Sequence, residues 1–182
     1  PNSKVAESFG NMASKKIEGV YLSVAKRNST AGSGVKLSFY DGSSSPENLL
    51  LELPSIPLST FSANCEKFIP IPNGGLMSTS NTIYVAYELT MASAGDTLSL
   101  FYSTHDKLGN GRLSNSAFLF DKSNWLPFST LYSGEKGAVW LDLVVSDPVN
   151  NSLHKHLADN LNVNIYPNPT LGEFNIEIVN NE

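Results

Sequence analysis

The sequence predicts an all-β protein, an antiparallel β-sandwich of jelly-roll type with about ten short strands and little helix. Three observations carry that prediction. Apolar residues recur at every second position in short runs, the strongest being Thr82–Leu89, Thr-Ile-Tyr-Val-Ala-Tyr-Glu-Leu. Clusters of Gly, Pro, Asn, Asp and Ser separate these runs. No segment sustains a helical period for the length of a long helix.

The elements follow in order. Val5 to Met12 reads as an edge strand or a loose segment. Lys16–Ala25 is a strand with Ile17, Val20, Leu22 and Val24 toward the core, and Gly19 breaks its alternation as a bulge would. Val35–Tyr40 sets Val35, Leu37 and Phe39 against Lys36, Ser38 and Tyr40. Asp41–Pro46 is a turn, and Leu49–Leu53 is a strand stopped by Pro54. Phe68–Ile71 contains Pro70 and so reads as an edge strand. In Thr82–Leu89 the residues Ile83, Val85, Tyr87 and Leu89 share one face, opposite Tyr84, Ala86 and Glu88. Thr97–Thr104 alternates next. Asp106–Asn115 is a Gly/Asn loop, Ser116–Phe120 and Pro127–Tyr132 are short strands, and Ala138–Val145 sets Val139, Leu141 and Leu143 against Trp140, Asp142 and Val144.

Composition narrows the function classes. The chain has 182 residues, of which 41% are hydrophobic and 16% charged, with a net charge of −5. That size and core suit one domain with a short addition. The acidic balance without a basic patch argues against nucleic acid. No apolar run approaches the ~20 residues of a membrane span. Cys65 is the only cysteine, so no intrachain disulfide forms, and it reads as structural or incidental.

Residues 1–148 therefore read as the sandwich module and 149–161 as a polar linker, in which Ser152 could cap a short helix carrying Leu153 and Leu157. In residues 162–182, Val163 and Ile165 alternate as a strand. Pro167 and Pro169 then end it by fixing φ and removing two donors. Asn168, Thr170 and Gly172 suit the turn, and Phe174, Ile176 and Ile178 restart the alternation. The wording Tyr166-Pro167-Asn168-Pro169-Thr170, then Gly172 and Phe174, closely resembles the opening of the C-terminal sorting domain of proteins exported by the Bacteroidetes type IX (Por) secretion system. The resemblance implies an export address read by the type IX machinery and a secreted or outer-surface location. Members of that family continue through several more strands, so 162–182 reads as a truncated start of the domain, with a signal peptide expected upstream of Pro1. Residues 16–147 are similar, more loosely, to β-sandwich modules that precede such segments beside peptidase or adhesin-like domains. The Gly19–Leu22 strand, the Phe39–Gly42 turn, the Ile83–Leu89 strand and Gly95–Leu98 carry that likeness. It implies a non-catalytic accessory or adhesive role.

Catalytic chemistry finds little footing in the residues. A hydrolase needs a nucleophile, a base and an orienting acid. His105 lies beside Asp106 at a strand end without a nucleophile motif, and His154-Lys155-His156 sets a cation between two metal-ligand candidates. Asp106–Gly111 fails as an EF-hand loop, with Leu108 third and Ala117 twelfth. The remaining metal reading is a structural calcium held by Asp41, Asp106 or Asp121 with backbone carbonyls. The main alternative function is carbohydrate binding, since Trp125, Trp140, Tyr40, Tyr84 and Phe101 lie in loops or on faces opposite the expected core. Trp125, Trp140 and Tyr84 are its candidate residues, with a surface glycan or protein as partner. A less favoured reading is an accessory part of a hydrolase or peptidase.

Overall fold

The computed structural model describes residues 4–30, 32–103, 116–131 and 137–147, together with the backbone of 161–167 and 174–180. The chain divides into two units, Pro1–Asp147 and Pro148–Glu182. In the first unit the strands are β1 (Val5–Phe9), β2 (Lys16–Asn28), β3 (Gly34–Asp41), β4 (Asn48–Glu52), β5 (Ile56–Pro57), β6 (Cys65–Pro70) and β7 (Leu76–Met77). They continue with β8 (Ile83–Thr90), β9 (Thr97–Leu100), β10 (Tyr102–Ser103), β11 (Ala117–Phe120), β12 (Trp125–Pro127), β13 (Ala138–Val139) and β14 (Leu141–Ser146). A short helix, α1 (Phe128–Leu131), follows β12.

The first unit is an all-β antiparallel sandwich. One sheet has seven strands in the order β12-β11-β1-β8-β3-β4, with β5 also on β3. The other has five, in the order β14-β2-β6, with β7 and β9 also on β2. A ribbon of β10 and β13 adds a third, two-stranded pairing. Consecutive strands β2 and β3 lie in different sheets, as do β8 and β9, so the chain passes repeatedly between layers. Among the described residues no helix is long and apolar enough to cross a membrane.

The core forms where the inward halves of the alternating runs meet. Ile17, Val20, Leu22 and Val24 of β2 face Val35, Leu37 and Phe39 of β3 and Ile83 and Val85 of β8 in one buried cluster. The expected bulge is present. Val144 pairs with Gly19 and Val145 with Ile17, which leaves Glu18 as the extra residue. Pro70 does lie on an edge strand. Ile71 N–H donates to Glu18 of β2, so by alternation the donor missing at Pro70 faces away from β2, where no ladder bond is lost.

Three expectations change. The first strand is not at an edge: β1 lies between β8 and β11 and pairs with both. Ala6 and Glu7 are buried there, a placement set by neighbours distant in sequence. The strand expected over Pro127–Tyr132 ends at Pro127, opposite Phe118, and α1 follows it. Pro127 cannot donate to a continuing ladder, and the chain leaves the sheet. The long strand expected over Thr97–Thr104 breaks at Phe101 into β9 and β10.

In the second unit β15 (Leu161–Pro167) and β16 (Phe174–Asn180) form an antiparallel hairpin. Its register sets Val163 opposite Ile178, Ile165 opposite Ile176 and Pro167 opposite Phe174. Pro167 ends the first strand, as its missing N–H requires. Leu161, expected in the linker, opens β15. Tyr166, Pro167 and Phe174 are described in backbone only. Asn168, Pro169 and Gly172 of the same motif lie outside the described residues, as do the linker helix expected at 152–157, His105, Asp106, His154 and His156.

Candidate functional site: an aromatic face on the five-stranded sheet

The outward faces of the two sheets carry the aromatic residues that the core does not use, and they treat them in opposite ways. On the seven-stranded sheet the aromatics close over one another. Tyr84 is only 2% exposed, and its ring meets Phe118 edge-on at 5.4 Å. Tyr84 therefore has no free ring face to offer a ligand, which removes one of the three candidates. Trp125 packs against Phe120 at 5.1 Å and against Tyr40 at 5.9 Å. Trp125 is on β12 and Tyr40 on β3, four strand steps apart, or about 19 Å on a flat sheet. Their rings meet because this sheet curls with its outward side concave, over a floor of Ala6 and Ala86. Trp125 is thus half-buried and occupied in packing.

On the five-stranded sheet the rings stay open. In β2, Val20, Leu22 and Val24 point into the core, so Tyr21 and Ser23 point outward. Tyr21 lies opposite Phe68 on β6 and opposite Asp142 on β14. The Tyr21 and Phe68 rings are 4.9 Å apart, and Gly19, with no Cβ, leaves space beneath Phe68. Ser23 lies opposite Glu66, and its hydroxyl donates to Glu66 Oε1 at 3.3 Å.

Trp140 and Phe101 complete this face. Both flank Ser23 through a closed trio of backbone bonds. Ser23 N–H donates to Trp140 (3.1 Å), Trp140 N–H to Phe101 (2.8 Å), and Phe101 N–H to Ser23 (2.9 Å). Their rings are 5.8 Å apart. Tyr21, Phe68, Phe101 and Trp140 are between 38% and 50% exposed. From the register, one row across the sheet reads Asp142, Tyr21, Phe68, and the next reads Trp140 with Phe101, Ser23, Glu66. Two ring pairs occupy one diagonal and two exposed carboxylates the other. The patch measures about 10 Å by about 7 Å. Phe68 also walls a groove of about 450 Å³ between β6 and the segment Leu53–Pro57.

The acidic metal candidates are spent on turns. Asp41 accepts from Asn48 Nδ2 at 2.8 Å and from the Ser80 hydroxyl at 3.0 Å. Asp121 accepts the N–H groups of Ser123 (3.2 Å) and Asn124 (2.9 Å), and those bonds hold its carboxyl below the usual range. Nothing described links the two, and among the described residues no group of three or more His, Cys, Asp or Glu gathers as a metal site. Asp96, exposed in the turn before β9, is likewise held low by the N–H groups of Ser93 and Thr30.

One buried ionisable group escaped the sequence reading. Glu7 lies on the inward side of β1, opposite Val85 and Ala117. Its Oε2 accepts the Val139 N–H at 2.7 Å, tying β13 to the seven-stranded sheet. Burial pushes its carboxyl up to about 7, with Asp142 adding repulsion, while Ser116 and the Val139 N–H pull the other way. The signal was present: in Val5-Ala-Glu-Ser-Phe9, strict alternation places Glu7 on the apolar face. Tyr21 and Phe68 were missed for a different reason. Each stands alone in its own run, and only the pairing of β2 with β6 joins them.

Comparison with known protein families, curated proteins and solved structures gives no match.

Proposed function

We propose that this chain is a non-catalytic module of a secreted or cell-surface protein, of jelly-roll type, serving adhesion, spacing or support of a neighbouring domain. The observation that carries the reading is the open aromatic face. Four large rings on one rigid sheet, left in solvent, mark a surface that meets another molecule. The sheet on the other side has the same kinds of residue and buries them against each other. Residues 162–182 are read as part of an export address used by type IX secretion machinery. The Tyr166-Pro167-Asn168-Pro169 wording, between two strands that pair antiparallel, is what supports this reading.

The two halves are tested separately. Trp140→Ala with Phe68→Ala, at an unchanged unfolding midpoint, is expected to lower retention of the purified chain on cells of a type IX-secreting bacterium. Equal retention refutes the adhesive reading. Replacing Pro167 and Pro169 by Ala in the natural protein is expected to strand it in the periplasm of such a host, and normal export refutes the sorting reading.

A further inference from the structure

We propose that the aromatic face of the five-stranded sheet is a binding site for neutral polysaccharide, built by Tyr21, Phe68, Phe101 and Trp140 with Glu66 and Asp142. The proposal rests on the reading of this face as a recognition surface and names its partner. Its chemistry follows from the alternation of rings and carboxylates. A pyranose has an apolar face of C–H groups and a rim of hydroxyls. The face stacks on an aromatic plane, and the rim needs hydrogen-bond partners once water leaves. The carboxyl oxygens of Glu66 and Asp142 accept hydrogen bonds, so they match hydroxyl donors. Asp142 lies one strand step from Tyr21, and Glu66 lies two residues from Phe68 along β6, so each is within reach of the rim of a sugar stacked on those rings.

A protein partner fits less well. The buried centres of protein interfaces are depleted of Asp and Glu, whereas here two carboxylates stand inside the ring pattern. The same charges repel acidic sugars, so the fit is to neutral glycan. The site is preorganised. The trio of bonds around Ser23 fixes the backbone under Phe101 and Trp140, and the Ser23 hydroxyl steadies Glu66. A rigid site loses little entropy when it binds. Phe68 is shared between the patch and the groove against Leu53–Pro57.

The test is titration of the intrinsic tryptophan fluorescence of the whole chain with three soluble neutral polysaccharides (a β-glucan, a xylan and a mannan) and with a polyuronate. Saturable binding to at least one neutral polymer is expected, with the polyuronate bound at least tenfold more weakly. Trp140→Ala and Phe68→Ala, followed by calorimetry because one removes the fluorophore, are each expected to weaken binding by about threefold to tenfold. Glu66→Gln and Asp142→Asn are expected to weaken it by about tenfold or more. Trp125→Phe is expected to leave it unchanged. The proposal is overturned if no neutral polymer saturates, if the polyuronate binds as well, or if Trp140→Ala binds as the parent does. Retention on cells that depends on Trp140 and Phe68, without binding to any neutral polymer, keeps the recognition surface and overturns the glycan.

Discussion

Glu7 gives the sharpest stability prediction. Its carboxyl lies between the sheets, and burial raises it from 4.5 to about 7. A carboxyl raised on folding stabilises the fold fully below its unfolded value and loses that contribution as pH rises through the folded one. The window therefore runs from about pH 4.5 to about pH 7. The gap between the two values corresponds to about 3 kcal/mol of stability lost across it. Glu7→Gln keeps a carbonyl to accept the Val139 N–H and carries no charge at any pH. Relative to the variant, the parent should be level near pH 4.5 and about 3 kcal/mol weaker by pH 8. Urea unfolding followed by tryptophan fluorescence measures this, since Trp125 and Trp140, the only tryptophans, both lie in the first unit. With a slope of about 2 kcal/mol per molar, the two midpoints should separate by about 1.5 M. Asp96 and Asp121, whose carboxyls are held low, lose their contributions only as pH falls below 3.8, outside this window. Parallel midpoint curves from pH 4.5 to 8 would refute the reasoning, because a buried charge at Glu7 cannot leave both proteins equally pH-dependent.

Three further outcomes follow from the packing. Trp125→Ala should cost about 2 kcal/mol by uncovering the Ala6 and Ala86 floor, while Trp140→Ala should cost less than about 0.5 kcal/mol; equal costs in urea unfolding would contradict the closed and open faces. Gly75 holds φ at +97°, and a Cβ there would sit 2.6 Å from the Ile17 carbonyl oxygen. Gly75→Ala should therefore cost about 2 kcal/mol, and a thermal midpoint equal to that of the parent would count against it. Cys65 is exposed at the start of β6, so one thiol per chain should react with a disulfide reagent in native buffer, whereas a thiol silent until denaturant is added would show it buried.

Much of the sandwich was legible because its signal is local. Alternation alone placed Val20, Leu22 and Val24, Val35, Leu37 and Phe39, and Ile83 and Val85 in the core, where all are fully buried. Pro70 announced an edge and Gly19 a bulge for reasons that lie within the residue itself. The central position of β1 was not legible, since Val5–Phe9 is short and its value depends on pairing with β8 and β11. Cys65 shows the weakness of a residue-type rule: the usual burial of cysteine yielded to a position at the exposed end of a strand.

The candidate site shows where local reading stops. Alternation correctly assigned Tyr84 and Trp140 to faces away from the main core, yet the two end in opposite environments. The difference lies in what stands around each residue. Beside Tyr84 the facing positions are Ser8 and Tyr40, with the small side chains of Ala6 and Ala86 close by. That low floor lets large rings at the sides of a curled sheet fold inward and meet. Around Trp140 the floor is Ser23, and the neighbours are Glu66 and Asp142, whose charges resist being covered. Rings placed among carboxylates cannot bury each other without burying those charges as well, so they remain in solvent. Each arrangement is set by strand order, which brings together residues as far apart as Tyr21 and Asp142. A single run therefore predicts that an aromatic side chain points outward, and the pairing of the strands decides whether that side chain becomes packing or remains available to a ligand.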